Sequence, residues 1–497
     1  MKKQIIFACV CCGWVINLPA QTDITKEFLT NPSFEDLRTT DGTADVTVKT
    51  SLDKGLYGWE VASMSNYQVE SEESGSSTGF PADGSGKIKP TEGTYYYFNR
   101  QGWGNKDSEL KTTTSKELPA GTYYAVIDYK AADYSNNNNA KNNGTTLGIK
   151  VNDAASNLLG ENPAVRRAYS MANNSSNPGS DAYMVNAAWN ELGTMFTVTE
   201  PTTVTISLVQ HMKNSGRSDI AWDNLRLYKI ENVDESKPLD VSGLITTSNY
   251  YALGGWSIEG GNTFQINTWS TEGDTDGSGM TTPFFEDWIG KGTNAANATI
   301  SHTANHLAPG IYEVSGLIRV LNEAGGAAPS GATLYANEGS TDACAGTPCT
   351  NGVYGTYTVK GTVGTDGVLT FGIKVANANF NWLSFKNFKL QYLGTASIDQ
   401  LKATLKEKMT EAQACVANCP KGIAAIVNAA ITQGESAQDT EESLNAAIDA
   451  LTQAIALADQ TAPATEAFKA LMATCQGYAN HSSAEESVKQ AFQKAMT

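Results

Sequence analysis

Leu118-Pro119-Ala120-Gly121-Thr122-Tyr123 opens an alternating run that continues through Ala125-Val126-Ile127-Asp128-Tyr129. Leu307-Ala308-Pro309-Gly310-Ile311-Tyr312 opens another, through Val314-Ser315-Gly316-Leu317-Ile318. Each copy closes with a second matching run: Trp222-Asp223-Asn224-Leu225-Arg226-Leu227-Tyr228 and Phe385-Lys386-Asn387-Phe388-Lys389-Leu390-Gln391-Tyr392. A side-chain period of two marks strands, and two landmarks that occur twice mark a duplicated β-rich module. The opening glycines are 310 − 121 = 189 residues apart and the closing asparagines 387 − 224 = 163, so the first copy holds 26 more residues between them. The polar stretch 160–191, with Pro163, Pro178 and an Asn/Ser cluster, accounts for the excess.

Working outward, the first module spans 21–231, with strands expected at 94–99, 121–131, 145–151, 193–199, 203–209 and 220–230. Asn232 to Leu239 reads as a linker, and the second module spans 240–394. Short alternating strands between Gly, Pro and Asn turns argue for antiparallel sandwiches. Beyond Ser397 the period becomes helical: Ile398, Leu401, Leu405, Met409, Ala412 and Val416 share one face. Pro420-Lys421-Gly422 breaks that helix, and Asp439-x-x-Glu442 reads as a capping box for the next stretch. One helical unit is expected over 397–460 and the start of another over 462–497, with a fresh helix near Thr465. The last helix is still running at Thr497, which suggests the front part of something longer or an end packed on a partner. The fold class expected is therefore mainly β: two tandem antiparallel β-sandwich modules followed by an α-helical bundle or spacer.

At 497 residues the chain exceeds one hydrophobic core. Its 35 basic and 52 acidic residues give a net charge of −17, which repels phosphate backbones and argues against nucleic acid. Residues 1–20 read as an export signal: Lys2 and Lys3, an apolar stretch from Ile5 to Leu18, then Leu18-Pro19-Ala20 before Gln21. No later stretch approaches the length of a membrane-spanning helix. A secreted, cell-surface or periplasmic location is expected. Export permits disulfides; Cys344-Ala-Gly-Thr-Pro-Cys349 is read as a pair closing a small loop. Cys415 and Cys419 lie a helical turn apart, and either a bridge to Cys475 or a reduced core fits them.

Asn31-Pro32-Ser33-Phe34-Glu35, Gly58-Trp59 and the closing Trp222-Asp223-Asn224-Leu225 together resemble galactose-binding-like jelly rolls of the carbohydrate-binding-module type. Thr282-Pro283-Phe284-Phe285-Glu286-Asp287-Trp288 resembles modules of secreted Bacteroidetes glycan-utilisation proteins. Glu442-Ser443-Leu444-Asn445-Ala446-Ala447-Ile448-Asp449-Ala450-Leu451 is similar to FIVAR-type helical spacers. The resemblance implies a structural calcium ion in the first module, on Glu35 and Asp223; carboxylates and carbonyls are what calcium takes. Lys386 stands where Asp223 stands in the first copy, so the second module is not expected to share it.

Sugar recognition needs aromatic platforms beside amide or carboxylate groups. Trp59, Tyr95, Tyr96, Tyr97, Trp103 and Trp189 are available in the first module, with Asn99, Arg100 and Asn105 near the tyrosine run and Trp103 at a Gly102-Trp103-Gly104 loop tip. The second module offers Trp256, Trp269, Trp288 and Trp382, and Trp222 is expected in the core. Asp274-Thr275-Asp276-Gly277 places Phe285 at the twelfth position of a would-be calcium loop, and reads better as a turn. His302 and His306 have metal spacing, but Pro309-Gly310 and the preceding Ala298-Thr299-Ile300 argue for a strand and turn. No catalytic constellation stands out. The expectation is a non-catalytic glycan-binding protein, with a structural or adhesive surface protein as the alternative. A further alternative is the accessory front of a glycoside hydrolase or lyase.

Overall fold

The computed structural model describes residues 20–48, 55–62, 66–71, 89–101, 107–134, 145–152, 184–185, 189–212, 217–231, 233–245, 256–262, 264–267, 284–337, 339–342, 355–395, 398–416, 419–479 and 485–496. The chain is mainly β, with antiparallel sheets followed by helices. In the first module a seven-stranded sheet runs in the order 66–71, 95–101, 217–230, 121–134, 184–185. Gln21–Asp23 joins its Arg217–Ile230 strand, and Asn190–Val198 pairs with Gly121–Tyr134. A four-stranded sheet, in the order 60–61, 107–113, 205–212, 145–151, completes the sandwich. The second module repeats the plan with six strands (264–267, 284–288, 382–392, 310–321 and 355–363, with 239–240 beside 382–392) and five (256–260, 298–304, 369–375, 332–336, 339–342).

The duplication read from the sequence is visible in the backbone. Asn224 and Asn387 both take left-handed conformations (φ 55° and 56°), and in each module the neighbouring strand register slips at that level. Asparagine tolerates this region better than other side chains, so the closing asparagines mark equivalent bulges. The inward faces of both sheets fill the cores. Trp222 and Tyr129 lie 6.2 Å apart in the first, with Leu110, Ile149 and Leu208 contributed by the smaller sheet. In the second, Trp256 bridges the layers, 4.8 Å from Phe388 and 5.6 Å from Phe371.

The Asn-Pro-Ser-Phe-Glu segment is a structural knot. The Asn31 side chain donates to Asp36 O and Tyr57 O, its Oδ1 accepts from Asp36 N, and its carbonyl receives the Trp59 indole N–H at 2.8 Å. Phe34 is buried against Trp59 and Tyr97. Gly58 takes φ +81°, and a Cβ there would stand 2.4 Å from Thr30 O.

The described part of the stretch expected as a linker, 233–238, is exposed to half-buried and turns where Lys237 N–H donates to Asp234 O. At its end Leu239–Asp240 pairs with Gln391 and Tyr392, Val241 N–H donates to Leu390 O, and Leu239, Val241 and Leu244 are buried. Apolar residues at alternate positions make this segment an added strand. His302 sits in the 298–304 strand and stacks on Phe371 at 5.2 Å, while His306 occupies a left-handed turn, in keeping with a strand and turn. Burial lowers the His302 pKa to about 4, so the ring is neutral.

The helical unit comprises Ile398–Val416, Lys421–Glu435, Glu441–Ala479 and Glu486–Met496, with Leu401, Leu405, Val427, Ile431, Leu444, Ile448 and Leu451 buried. The cap of the third helix is Thr440, not Asp439: Thr440 Oγ1 accepts from Ser443 N–H at 3.2 Å, and Ser443 Oγ accepts from Gln438 N–H at 2.9 Å. The fresh helix expected near Thr465 is a continuation of this one, through Pro463. Alanines at 456, 458, 462, 464 and 467 supply enough propensity to carry the helix past one missing N–H. Cys415 and Cys419 are free thiols. No helix among the described residues is long and apolar enough to cross a membrane. The export signal (residues 1–19), the Cys344–Cys349 loop, the Asp274 turn and most of the 160–191 insertion lie outside the described residues.

Candidate functional site

Strand alternation divides the Tyr95–Gln101 strand between core and outer face. Tyr97 points inward and is fully buried against Phe34; Asn99 is fully buried too, donating to Ser108 Oγ (2.7 Å) and Gln210 Oε1 (2.5 Å). Neither reaches a ligand from that position, which corrects the expectation for both. Tyr95 is half-buried against the same core. Tyr96 lies on the outer face, yet it is also buried: its phenol donates to Glu70 Oε2 at 2.7 Å, and Trp189 stands edge-on 6.2 Å away. Burial beside Glu70 pushes the Tyr96 pKa well up. Phe98 and Ala221 share that face with Lys130, whose Nζ lies 5.9 Å from the Trp189 ring centre. Trp189 itself is tied down by its N–H on Lys89 O at 2.8 Å. The first module's outer face is thus closed by its own tryptophan. Arg100 continues the strand, its side chain lying outside the described residues, as do Trp103 and Asn105.

The equivalent face of the second module is different. Ser384 stands three residues before Asn387, as Ala221 stands three before Asn224, and the register places Glu286 on one side of it and Arg319 on the other. The next row is Trp288, Trp382 and Leu321. The Trp382 indole donates to Glu286 Oε2 at 2.9 Å, and the Arg319 guanidinium lies 4.5 Å over the Trp382 ring. Phe284, Leu317 and Leu321 pack beside it. At the strand end Trp288 is 45 % exposed, the one exposed tryptophan among the described residues. Its indole donates to Glu323 Oε2 at 2.9 Å. Glu323 is itself held, its Oε2 accepting from Asn381 Nδ2 at 2.6 Å and its N–H donating to Asn381 Oδ1 at 2.9 Å. Asn381 is buried and anchored to Ile289 O. An apolar plate with a fixed carboxylate at its edge is therefore presented to solvent.

Sequence reasoning named Trp288 and Trp382 among available aromatics but missed Glu286, Arg319, Glu323 and Asn381. An arginine inside the apolar run Gly316-Leu317-Ile318-Arg319-Val320-Leu321 is the signal that marks this face.

Glu35 and Asp223 do converge on one loop of the first module. Glu35 Oε1 accepts from Thr94 and Tyr95 N–H, both at 2.8 Å; Asp223 Oδ2 accepts from Thr91 N–H (2.7 Å), Thr91 Oγ1 (2.9 Å) and Glu92 N–H (3.1 Å). Gly93 is required between them, since a Cβ there would stand 2.3 Å from the Glu35 carboxyl carbon. Asp223 Oδ1 is buried and accepts no hydrogen bond among the described residues, and burial pushes the Asp223 pKa up to about 7. The two acids staple the 91–95 loop, with one buried oxygen left that a cation would satisfy. No group of three or more metal-ligating acids, histidines or cysteines forms among the described residues.

No family model and no curated protein matches the chain. Among solved structures, it is similar to a family 61 carbohydrate-binding module in complex with β-1,4-galactotriose (15% identity, 40% of this chain and 97% of that one, TM-score 0.22). It is similar to the tandem CBM22-1–CBM22-2 domain of Paenibacillus barcinonensis Xyn10C (9% identity, 71% and 98%, TM-score 0.21). It is also similar to a Stig cyclase from Fischerella sp. TAU (14% identity, 42% and 100%, TM-score 0.26). At such identities and scores, function is read from the residues themselves.

Proposed function

We propose that this chain is an exported, non-catalytic protein that binds polysaccharide or glycoprotein glycans, with Trp288 as a sugar platform of the second module. One observation carries the reading: Trp288 is exposed while its indole N–H is fixed on Glu323, which Asn381 fixes in turn. Large apolar side chains are left in water at a cost, and an immobilised one lowers the entropy lost on binding. The indole face suits the C–H side of a pyranose, and Glu323 offers a carboxylate beside it for hydroxyl donors. Arg100, Trp103 and Asn105 remain candidate contacts of the first module.

The test is a broad glycan and polysaccharide array probed with the full chain and its Trp288→Ala variant. The reading expects selective signal for one glycan class, weakened about 10- to 100-fold by the substitution. A blank array with folded protein overturns it in favour of the adhesive or spacer role.

A structural calcium ion on Glu35 and Asp223 belongs to the same proposal, supported by the buried Asp223 Oδ1. Chelation is expected to lower the melting temperature of the first module; an unchanged value leaves the pair as a loop staple alone. Export predicts a mature N-terminus at Gln21, read directly by terminal sequencing.

A further inference from the structure

The smaller sheet of the first module carries an open pocket of about 620 Å³ on its outer side, lined by Thr40, Trp59, Glu60, Lys111, Thr113, Asn152 and Thr205. We infer that this pocket is a second, independent ligand site, which takes a short neutral oligosaccharide by hydrogen bonding alone. The inference stands apart from the Trp288 reading, since no residue is shared.

Strand alternation builds the lining. Leu110 and Thr112 turn into the core, which leaves Lys111 and Thr113 facing out. Register sets Thr113 opposite Thr205, their hydroxyls 2.9 Å apart, and Glu60 opposite Lys111. Asn152 closes the end of the sheet in a left-handed turn (φ 54°). Its Oδ1 accepts from Thr205 N–H at 2.9 Å and its own N–H donates to Thr205 O at 2.7 Å. The side-chain amide is therefore held in one orientation, and its NH₂ donates to no described residue. At the rim the Thr40 hydroxyl donates to Trp59 O at 3.2 Å.

The lining decides the ligand class. The Trp59 ring is buried, so nothing aromatic is offered for stacking. Lys111 and Lys150 lie 3.6 and 3.9 Å from Glu109 Oε1, and Glu60 faces Lys111, so two cations meet two anions and no net field draws an ion. What remains is hydroxyls, an amide donor and compensated charges, a mixture that pairs with a ligand offering hydroxyl donors and acceptors together. The volume falls within the range of small-molecule pockets. Without a stacking platform each contact exchanges one hydrogen bond with water for another, which places Kd in the millimolar range.

The experiment uses the full chain carrying Trp288→Ala, with ¹³C-methyl-labelled threonine. It is titrated with cellotriose, xylotriose, mannotriose and β-1,4-galactotriose to about 20 mM, a ceiling suited to millimolar Kd. The inference expects saturable shifts of the Thr113 and Thr205 methyls with at least one trisaccharide. Adding Lys111→Met and Asn152→Asp should weaken them at least tenfold; Asn152→Asp keeps the acceptor for Thr205 N–H and the left-handed turn. An unchanged melting temperature certifies the fold of that variant. No saturable shift with any trisaccharide, or shifts indifferent to the two substitutions, overturns the inference. Either outcome leaves the Trp288 reading untouched, because that residue is absent from every sample.

Discussion

The two modules carry the same scaffold and finish one face of it in opposite ways. Three residues before the bulge asparagine, the first module sets Phe98, Ala221 and Lys130 across its larger sheet, whereas the second sets Glu286, Ser384 and Arg319. In the first, Trp189 packs over Tyr96, Phe98 and Ala221 and closes the face. In the second, Trp382 lies down under Arg319 while Trp288 stands in solvent. A shared backbone thus fixes where a site can form, and a handful of outward residues decides whether it is left open. The same divergence appears at the bulge, where Asp223 staples a loop and Lys386 occupies the matching position.

The sharpest way to break the comparison is to exchange those two residues. Asp223→Lys places an ammonium against amide N–H donors in a fully buried position, and we expect a loss of about 4 kcal/mol or more. Lys386→Asp should cost less, because it exchanges one charged side chain for another at a position less completely buried (7 % exposed against 0 % for Asp223). Calorimetry of the two variants compares the costs directly; equal losses contradict the assigned roles.

A second effect belongs to the second module. His302 is neutral in its buried stack, with a folded-state pKa of about 4 against about 6.5 when unfolded. Because the folded value is depressed, the unfolded chain binds the proton first, and stability declines as pH falls from about 6.5 toward 4. The full loss amounts to roughly 3 kcal/mol. Unfolding of the wild type and His302→Phe across that window checks it; the variant should lose this component of the pH slope.

The smallest expected effect compares the bulges. Asn224→Ala should cost more than Asn387→Ala: both force a left-handed alanine, worth about 1 kcal/mol, but only Asn224 is shown donating to Asp128 (3.0 Å). Urea midpoints of the two variants give the difference, and a reversed order breaks the equivalence drawn between the modules.

Much of this comparison was legible in the sequence. Period-two runs, Gly-x-Tyr openings and closing asparagines announced the duplication because strand alternation and left-handed turns leave local marks. The contrast between Asp223 and Lys386 followed from the same alignment. What stayed hidden was which side of a strand faces solvent once a distant residue covers it. Tyr96 alternates outward as a platform should, and only the return of Trp189, 93 residues later, buries it. Glu323 was equally invisible, since its partner Asn381 lies 58 residues away. The fresh helix expected near Thr465 is instead a continuation through Pro463, because the alanines around the proline carry the helix past it.

The most direct test of the central claim is affinity electrophoresis of the full chain in gels containing soluble polysaccharides, comparing wild type, Trp288→Ala and Trp189→Ala. The account predicts that Trp288→Ala abolishes retention at an unchanged melting temperature. It predicts that Trp189→Ala lowers the melting temperature by uncovering the first module's face, and leaves retention by the second intact. Full retention by Trp288→Ala would contradict the claim that the open face of the second module is where the sugar rests.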